Sequence, residues 1–203
     1  TSMTEPLRTQ FHNDLDGVRQ GVARLSASVT ELIPRVTDVL LDQDLEGAEY
    51  TILGDDEIDA RSIELEERCY SLLALQAPVA SELREIVSAL KLIGEIERSA
   101  DLCVNICKAA RRIHGHPLDP RLRGVIQKMG EQARHLFKEA TEAYLTRDSV
   151  RAAALDDMDS LLDDLQREFI QVIFESHSAG TIDLQVAVQL AVVARFFERI
   201  GDH

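Results

Sequence analysis

The sequence has few aromatic residues, few cysteines and no long apolar run. Its 203 residues contain no tryptophan, only 4% aromatic residues and three cysteines, Cys69, Cys103 and Cys107. No stretch approaches the roughly 18 unbroken apolar residues of a membrane-spanning helix, so we expect no insertion into a membrane. An odd number of widely spaced cysteines argues against a disulfide framework and favours buried thiols in a reducing, cytoplasmic protein.

Positive charge is also scarce. The chain has 22 lysines and arginines against 36 acids, a formal net charge of −14. This balance argues against nucleic-acid binding and favours cations or basic protein surfaces as partners. Glycine-rich phosphate loops, nucleophile elbows and the Glu-x-x-His pairs of di-iron enzymes are absent from the sequence as well. We therefore expect a protein that is not an enzyme.

Helical periodicity fills the space that these absences leave. Between Pro6 and Leu41 the apolar residues recur in alternating steps of three and four, which predicts one long helix with a bundle seam. The seam consists of Leu15, Val18, Val22, Leu25, Val29, Leu32, Val36 and Val39. Breaks near Pro78, Pro117, Ser149 and Gly180 divide the rest into five further helices. The fold class predicted is all-α, with six helices.

A five-residue motif occurs twice and indicates an internal repeat. Glu97–Asp101 reads ERSAD, and 198–202 reads ERIGD, at an offset of 101 residues in a chain of 203. A repeat of half the chain length predicts two pseudo-symmetric three-helix bundles, residues 3–116 and 117–203. We expect the last helix to be incomplete at residue 203, because the first copy continues well past its motif.

The acids of both motifs lie on helix faces that should be apolar. A carboxylate on a packed face is costly unless a cation neutralises it, and acids one turn apart on adjacent helices can share a hard cation through oxygen ligands. Each bundle therefore has a candidate metal patch. The nine candidate ligands are Asp55, Asp56, Asp59, Glu97 and Asp101 in the first bundle and Asp156, Asp159, Glu198 and Asp202 in the second. Iron, manganese, magnesium or calcium suits such a set, and zinc suits it less well.

Two simpler readings of these acids stay open at this stage. Acidic clusters on helices are ordinarily solvated faces. Arginines could also neutralise the acids without metal, since Arg98 and Arg199 follow their glutamates directly and Arg61 or Arg84 could pair across helices.

With these motifs placed, the sequence resembles the PhoU family of phosphate-transport regulators. The segment 76–84, QAPVASELR, is similar to the family's Gln-x-Pro-x-Ala-x-Asp-Leu-Arg turn. Both Glu-Arg-x-x-Asp motifs are similar to the family pattern Glu-Arg-Ile-Gly-Asp, and the second matches it letter for letter. The resemblance covers nearly the whole chain.

The resemblance implies a fold of two pseudo-symmetric three-helix bundles and a function. Family members are negative regulators of phosphate uptake and of the phosphate-starvation response. The partners implied are the ATPase subunit of the phosphate ABC transporter and a membrane sensor histidine kinase, with a homodimer as a further candidate assembly. Metal ions on acidic patches are the cofactors implied.

Two departures from a perfect repeat bear on the metal patches. Ser99-Ala100 replaces Ile-Gly in the first motif, and Leu155 stands where the first bundle has Asp55. We therefore expect the two patches to differ in affinity. Two other functions also remain open: a carboxylate-bridged metalloenzyme, and an accessory subunit of a different anion transporter.

Overall fold

The computed structural model describes residues 4–75 and 78–201, and this part of the chain contains helices and no strands. There are six long helices and one short one. Their bounds are α1 Thr4–Asp42, α2 Leu45–Leu75, α3 Ala80–Arg112, α4 Pro120–Thr146, α5 Ser149–Ala153, α6 Leu155–Ser178 and α7 Leu184–Gly201. The all-α prediction is confirmed.

The long seam of α1 is buried as its periodicity predicts. All eight residues of the seam are at most 8% exposed, because steps of three and four return to the same side of a helix with 3.6 residues per turn. The helix runs on through Pro34. α1 is therefore the central packing surface of the protein.

Two sets of three helices pack around the α1 seam and its counterpart in α4. α1, α2 and α3 contact one another, as do α4, α6 and α7, while α1–α4 and α3–α7 contacts join the sets. The buried apolar residues of both sets form one continuous core. The structure thus has the two three-helix bundles that the repeat predicts, and it shows in addition that they share one core.

The helix expected between residue 149 and about residue 177 is divided in the structure, because a short helix, α5, precedes α6. Asp148 begins α5 by accepting hydrogen bonds from the backbone N–H groups of Val150 and Arg151, both at 3.0 Å, as an N-cap acid does. A non-helical residue, Ala154, separates it from α6. The long helix of this segment, α6, therefore begins at Leu155 and not at Ser149.

Polar side chains fix the connections between helices. Gln43 has a left-handed backbone (φ 51°) after α1, and its amide donates to the carbonyl of His116 and accepts from the N–H of Gly115. The carboxylate of Asp119 caps α4 and accepts a hydrogen bond from Ser176 at 2.7 Å. The Gln43 and Ser176 bonds each join a helix end to a segment distant in sequence within the same bundle.

The buried face of α3 lies slightly to one side of the expected seam. Leu83 is 43% exposed, whereas Ile96 and Cys103 are completely buried. α3 contacts α1, α2 and α7, so its apolar face is wider than a single seam. Glu97 consequently lies at the edge of the packed face, half-buried, and not at its centre.

Candidate metal centre

Two pairs of acids meet where α2 packs against α3. Asp55 and Asp59 are one turn apart on α2, and Glu97 and Asp101 are one turn apart on α3, so each pair points to one side of its helix. Oxygens of Asp55, Asp59 and Asp101 all lie within 4.8 Å of one another. The structure therefore brings three of the five acids expected in the first bundle into one compact group.

The other two acids of the first patch lie around this group. Glu97 is half-buried and senses the charges of Asp59 and Asp101. Asp56 is exposed, although its charge acts on Asp55. Asp56 is thus at the rim of the cluster and Glu97 beside it.

The crowding of these carboxylates shows in their pKa values. Burial and then the charges of Asp59, Asp101, Asp56 and Glu97 raise the pKa of Asp55 to about 6. Burial and the neighbouring acids raise the pKa values of Glu97 and Asp101 too. Like charges held together in a partly desolvated place disfavour the ionised form, and a bound cation would relieve this repulsion.

Arginine pairing does not neutralise this cluster in the part of the chain that the structure describes. Arg98 Nη1 pairs with Glu95 Oε1 at 3.0 Å, and Arg61 donates to the hydroxyl of Ser28 at 3.3 Å. Lys108 lowers the pKa of Asp101 only as a secondary influence. The salt-bridge reading of the acids is therefore wrong for the first patch.

The donor atoms of the first patch fit a hard cation. One oxygen each of Asp55 and Asp59 is buried and has no hydrogen-bond partner among the described residues. Buried polar atoms are nearly always satisfied, and carboxylate oxygens suit magnesium, calcium, manganese or iron. Asp55, Asp59 and Asp101 are the residues that would hold such an ion, with Glu97 in reach of its charge.

The acids of the second patch are less well gathered. Asp156 is exposed, Asp159 and Glu198 are half-buried, and Asp202 lies outside the described residues. Within the described ranges, these acids do not form a second group of three carboxylates as compact as the first. Leu155 in place of an acid removes the counterpart of Asp55, so the second patch stays a prediction.

One contributor to the first patch escaped the sequence pattern. Glu66 on α2 is half-buried, and its charge raises the pKa of Glu97. It lies seven residues after Asp59, two helical turns along the same face, so its spacing was available as a signal. Glu66 lies outside the repeated motif, and the repeat therefore did not indicate it as a candidate residue of the patch.

Comparison with known proteins settles the family. The family model described as PhoU domain matches residues 22–110 and 126–203, which include most of α3, all of α7 and both acidic motifs. The chain belongs to the PhoU family.

Curated relatives and solved structures agree with this PhoU membership. The chain is 34% identical over 198 residues to the phosphate-specific transport system accessory protein PhoU homolog 1 of Mycobacterium leprae, covering 97% of this chain and 88% of the relative. It is equally similar to PhoU homolog 2 of Mycobacterium tuberculosis, over 97% and 92%. The fold matches the crystal structure of PhoU from Pseudomonas aeruginosa with a TM-score of 0.88 at 24% identity, covering 95% of this chain and 92% of that one.

None of the described helices combines the length and the apolar character that crossing a bilayer requires.

Proposed function

We propose that this protein is a negative regulator of phosphate uptake and of the phosphate-starvation response. It acts in the cytoplasm by protein contacts, between the ATPase subunit of the phosphate ABC transporter and a membrane sensor histidine kinase. The observation that carries the proposal is 34% identity, over nearly the whole chain, to proteins named as accessory proteins of the phosphate-specific transport system.

The charge of the protein supports a role in docking. A net charge of −14 attracts basic protein surfaces and speeds the encounter with them. Helix α2, which carries Asp55 and Asp59, also has exposed apolar side chains such as Ile63 and Tyr70. These side chains add apolar contact area beside the acids. A basic partner surface with apolar residues complements this combination.

Within this function, we assign a metal ion to the first patch as a modulator. When bound, the ion supplies positive charge that removes the repulsion among Asp55, Asp59 and Asp101. These side chains belong to α2 and α3, so neutralising them strengthens the contact between the two helices. The ion's occupancy thereby sets how firmly α2, the outer acidic helix, is held for docking.

Partner capture tests the regulatory function. Tagged protein is isolated from cells grown at high and at low phosphate, and the co-purified proteins are identified. We expect a phosphate transporter ATPase and a sensor kinase whose recovery changes with phosphate. Recovery of neither under both conditions would contradict the proposal, and recovery of the components of a different transporter would replace it.

Deletion of the gene that encodes this protein is a second test of the same function. Loss of a negative regulator leaves phosphate-starvation genes expressed at high phosphate, and the intact chain restores repression. Hydrolytic or redox turnover by purified metal-loaded protein would instead favour the carboxylate-bridged metalloenzyme.

A further inference from the structure

A cleft opens between the two bundles, away from the acidic cluster. Its cavity volume is about 510 Å³, within the range of about 300–1,000 Å³ typical of small-molecule sites. α1 and α3 form one wall, and α4, α5 and the start of α6 form the other. The lining is mainly apolar, and its larger side chains are Val22, Leu92, Tyr144, Leu145 and Leu155.

The charged residues of this cleft reverse the balance of the protein as a whole. Three arginines, Arg19, Arg84 and Arg147, line it together with two acids, Glu85 and Asp148. In a chain with a net charge of −14, a concave surface with excess positive charge is an exception. The excess of one positive charge favours an anionic group there.

The arginines are only partly neutralised by the acids in the cleft. Glu85, whose side chain is 17% exposed, forms ion pairs with both Arg19 and Arg147, the latter at 3.4 Å, and Arg19 also pairs with Asp16. The carboxylate of Asp148 is committed to the start of α5. Arg84 has no ion pair within the described residues, so at least one guanidinium faces the cleft with its donors available.

The backbone places Arg147 at the cleft in an unusual conformation. It ends α4 with φ 53° and ψ 38°, in the left-handed region, where glycine or asparagine is the ordinary residue. An arginine held there costs conformational energy and suggests that its side chain is needed at this position.

Hydroxyl groups add hydrogen-bonding capacity to the apolar walls. Ser81, Ser88 and Ser149 line the cleft, and none of their side chains hydrogen-bonds to another group in the portion described by the structure. Tyr144 presents a partly exposed aromatic ring on the α4 side. A ligand that fills this cleft meets a flat ring, several hydroxyls and a cationic rim.

We propose that this cleft binds a nucleoside phosphate. The phosphate meets Arg84 and Arg147, which are suited to phosphate oxygens, while the base and sugar occupy the apolar wall and the serine hydroxyls. Inorganic phosphate leaves the apolar wall unused, and an uncharged nucleoside leaves the arginines unpaired. The class with both parts fits best.

The cleft is a separate site from the candidate metal centre. Glu85 and Asp101 are sixteen residues apart on α3, about 24 Å along the helix axis, and the cleft opens toward α1 and α4 whereas the acids face α2. The proposal does not depend on the regulatory function, and either can fail alone.

Titration calorimetry on the full chain with AMP, adenosine and inorganic phosphate as separate probes tests the proposal. We expect AMP to bind with a Kd well below about 1 mM and at least about tenfold more tightly than either other probe. Equal binding of phosphate, equal binding of adenosine, or no binding of AMP at about 1 mM would each overturn it.

Two variants locate the binding in the cleft. Arg147→Gly suits the left-handed backbone, so it leaves the melting temperature unchanged or higher, while it weakens AMP binding about tenfold because a charge-assisted hydrogen bond is lost. Ala152→Phe, at an exposed position of α5 that lines the cleft, blocks AMP by filling its space. Arg167→Gln, on the outer face of α6, is the matched control. AMP binding that is unchanged in both cleft variants, or weakened equally by Arg167→Gln, contradicts the assignment.

Discussion

Asp55 on α2 and Asp101 on α3 hold carboxylate oxygens within 4.8 Å of each other, with Asp59 completing the group. Such proximity of like charges opposes folding unless protons or a cation compensate. The first three predictions follow from this cost, and the fourth concerns the contact between the bundles.

The first prediction concerns pH and the metal-free protein. Because the folded-state pKa of Asp55 is raised to about 6 from 3.8, the folded protein keeps a proton that the unfolded chain has lost. The preferential protonation of Asp55 in the folded state therefore contributes fully to the free energy of unfolding below about pH 4. This contribution is lost as the pH rises through about 6. Asp55→Asn removes this loss and should stabilise the metal-free protein at pH 7 by about 1 kcal/mol, after allowance for solvent screening.

Urea unfolding with chelator between pH 4 and pH 7 measures this difference. The gap between Asp55→Asn and the parent should widen as the pH rises. Glu57→Gln removes an exposed acid of the same helix and is the control, with a small gap at every pH. A gap for Asp55→Asn that does not depend on pH would show that the cluster does not titrate as described.

The second prediction concerns added cation. Manganese at about 100 times its Kd should stabilise the protein at pH 7 by about 2.7 kcal/mol through mass action. Asp59→Asn should abolish most of this effect because it removes a ligand, and Glu57→Gln should retain it. Thermal unfolding with and without the ion measures both. At pH 5 the stabilisation should be smaller, since protons compete for the carboxylates; an equal gain in Asp59→Asn would mean that the ion binds elsewhere.

The third prediction is that the two patches bind unequally. The first has three converging carboxylates, whereas the second has Leu155 where the first has Asp55. Manganese titration should therefore show a stronger site that is lost in Asp59→Asn and a weaker one that is lost in Glu198→Gln. Two sites of equal affinity would contradict the difference seen between the bundles, as would loss of the stronger site in Glu198→Gln.

The fourth prediction concerns close packing between the bundles. A Cβ on Gly130 of α4 would overlap the Oγ1 of Thr37 on α1, and the branched Thr37 side chain is fixed by a hydrogen bond to Ile33. Gly130→Ala should destabilise the protein by about 1–3 kcal/mol through overpacking. Gly124 lies on the same helix in open space, so Gly124→Ala should stabilise by about 0.5–1 kcal/mol. Urea unfolding compares the two, and effects of the same sign would refute this packing.

Sequence reasoning went furthest where a pattern was local and repeated. The α1 seam is eight residues of uniform spacing, and its burial needs nothing beyond helix geometry. The pairing of Asp59 with Asp101 was also within reach, because two adjacent helices each present acids one turn apart. The resemblance to the PhoU family could be seen in the sequence because its motifs occur in both bundles, and the match to the family model confirmed it.

The features that could not be predicted from the sequence depend on contacts between distant elements. The buried face of α3 turns toward Ile96 and Cys103 because three helices contact it, which no single-helix periodicity contains. Glu66 was missed because it lies outside the repeated motif. The cleft lies between α1 and α3 on one side and α4, α5 and the start of α6 on the other, and its arginines are far apart in sequence.

The most direct test of the metal centre is elemental analysis of protein purified without chelator. The parent and Glu57→Gln should contain the same bound metal. The double variant Asp55→Asn/Asp101→Asn should lose most of the first-patch metal while keeping its fold, as judged by helical circular dichroism. Unchanged metal content in the folded double variant would contradict the claim that these carboxylates hold the ion.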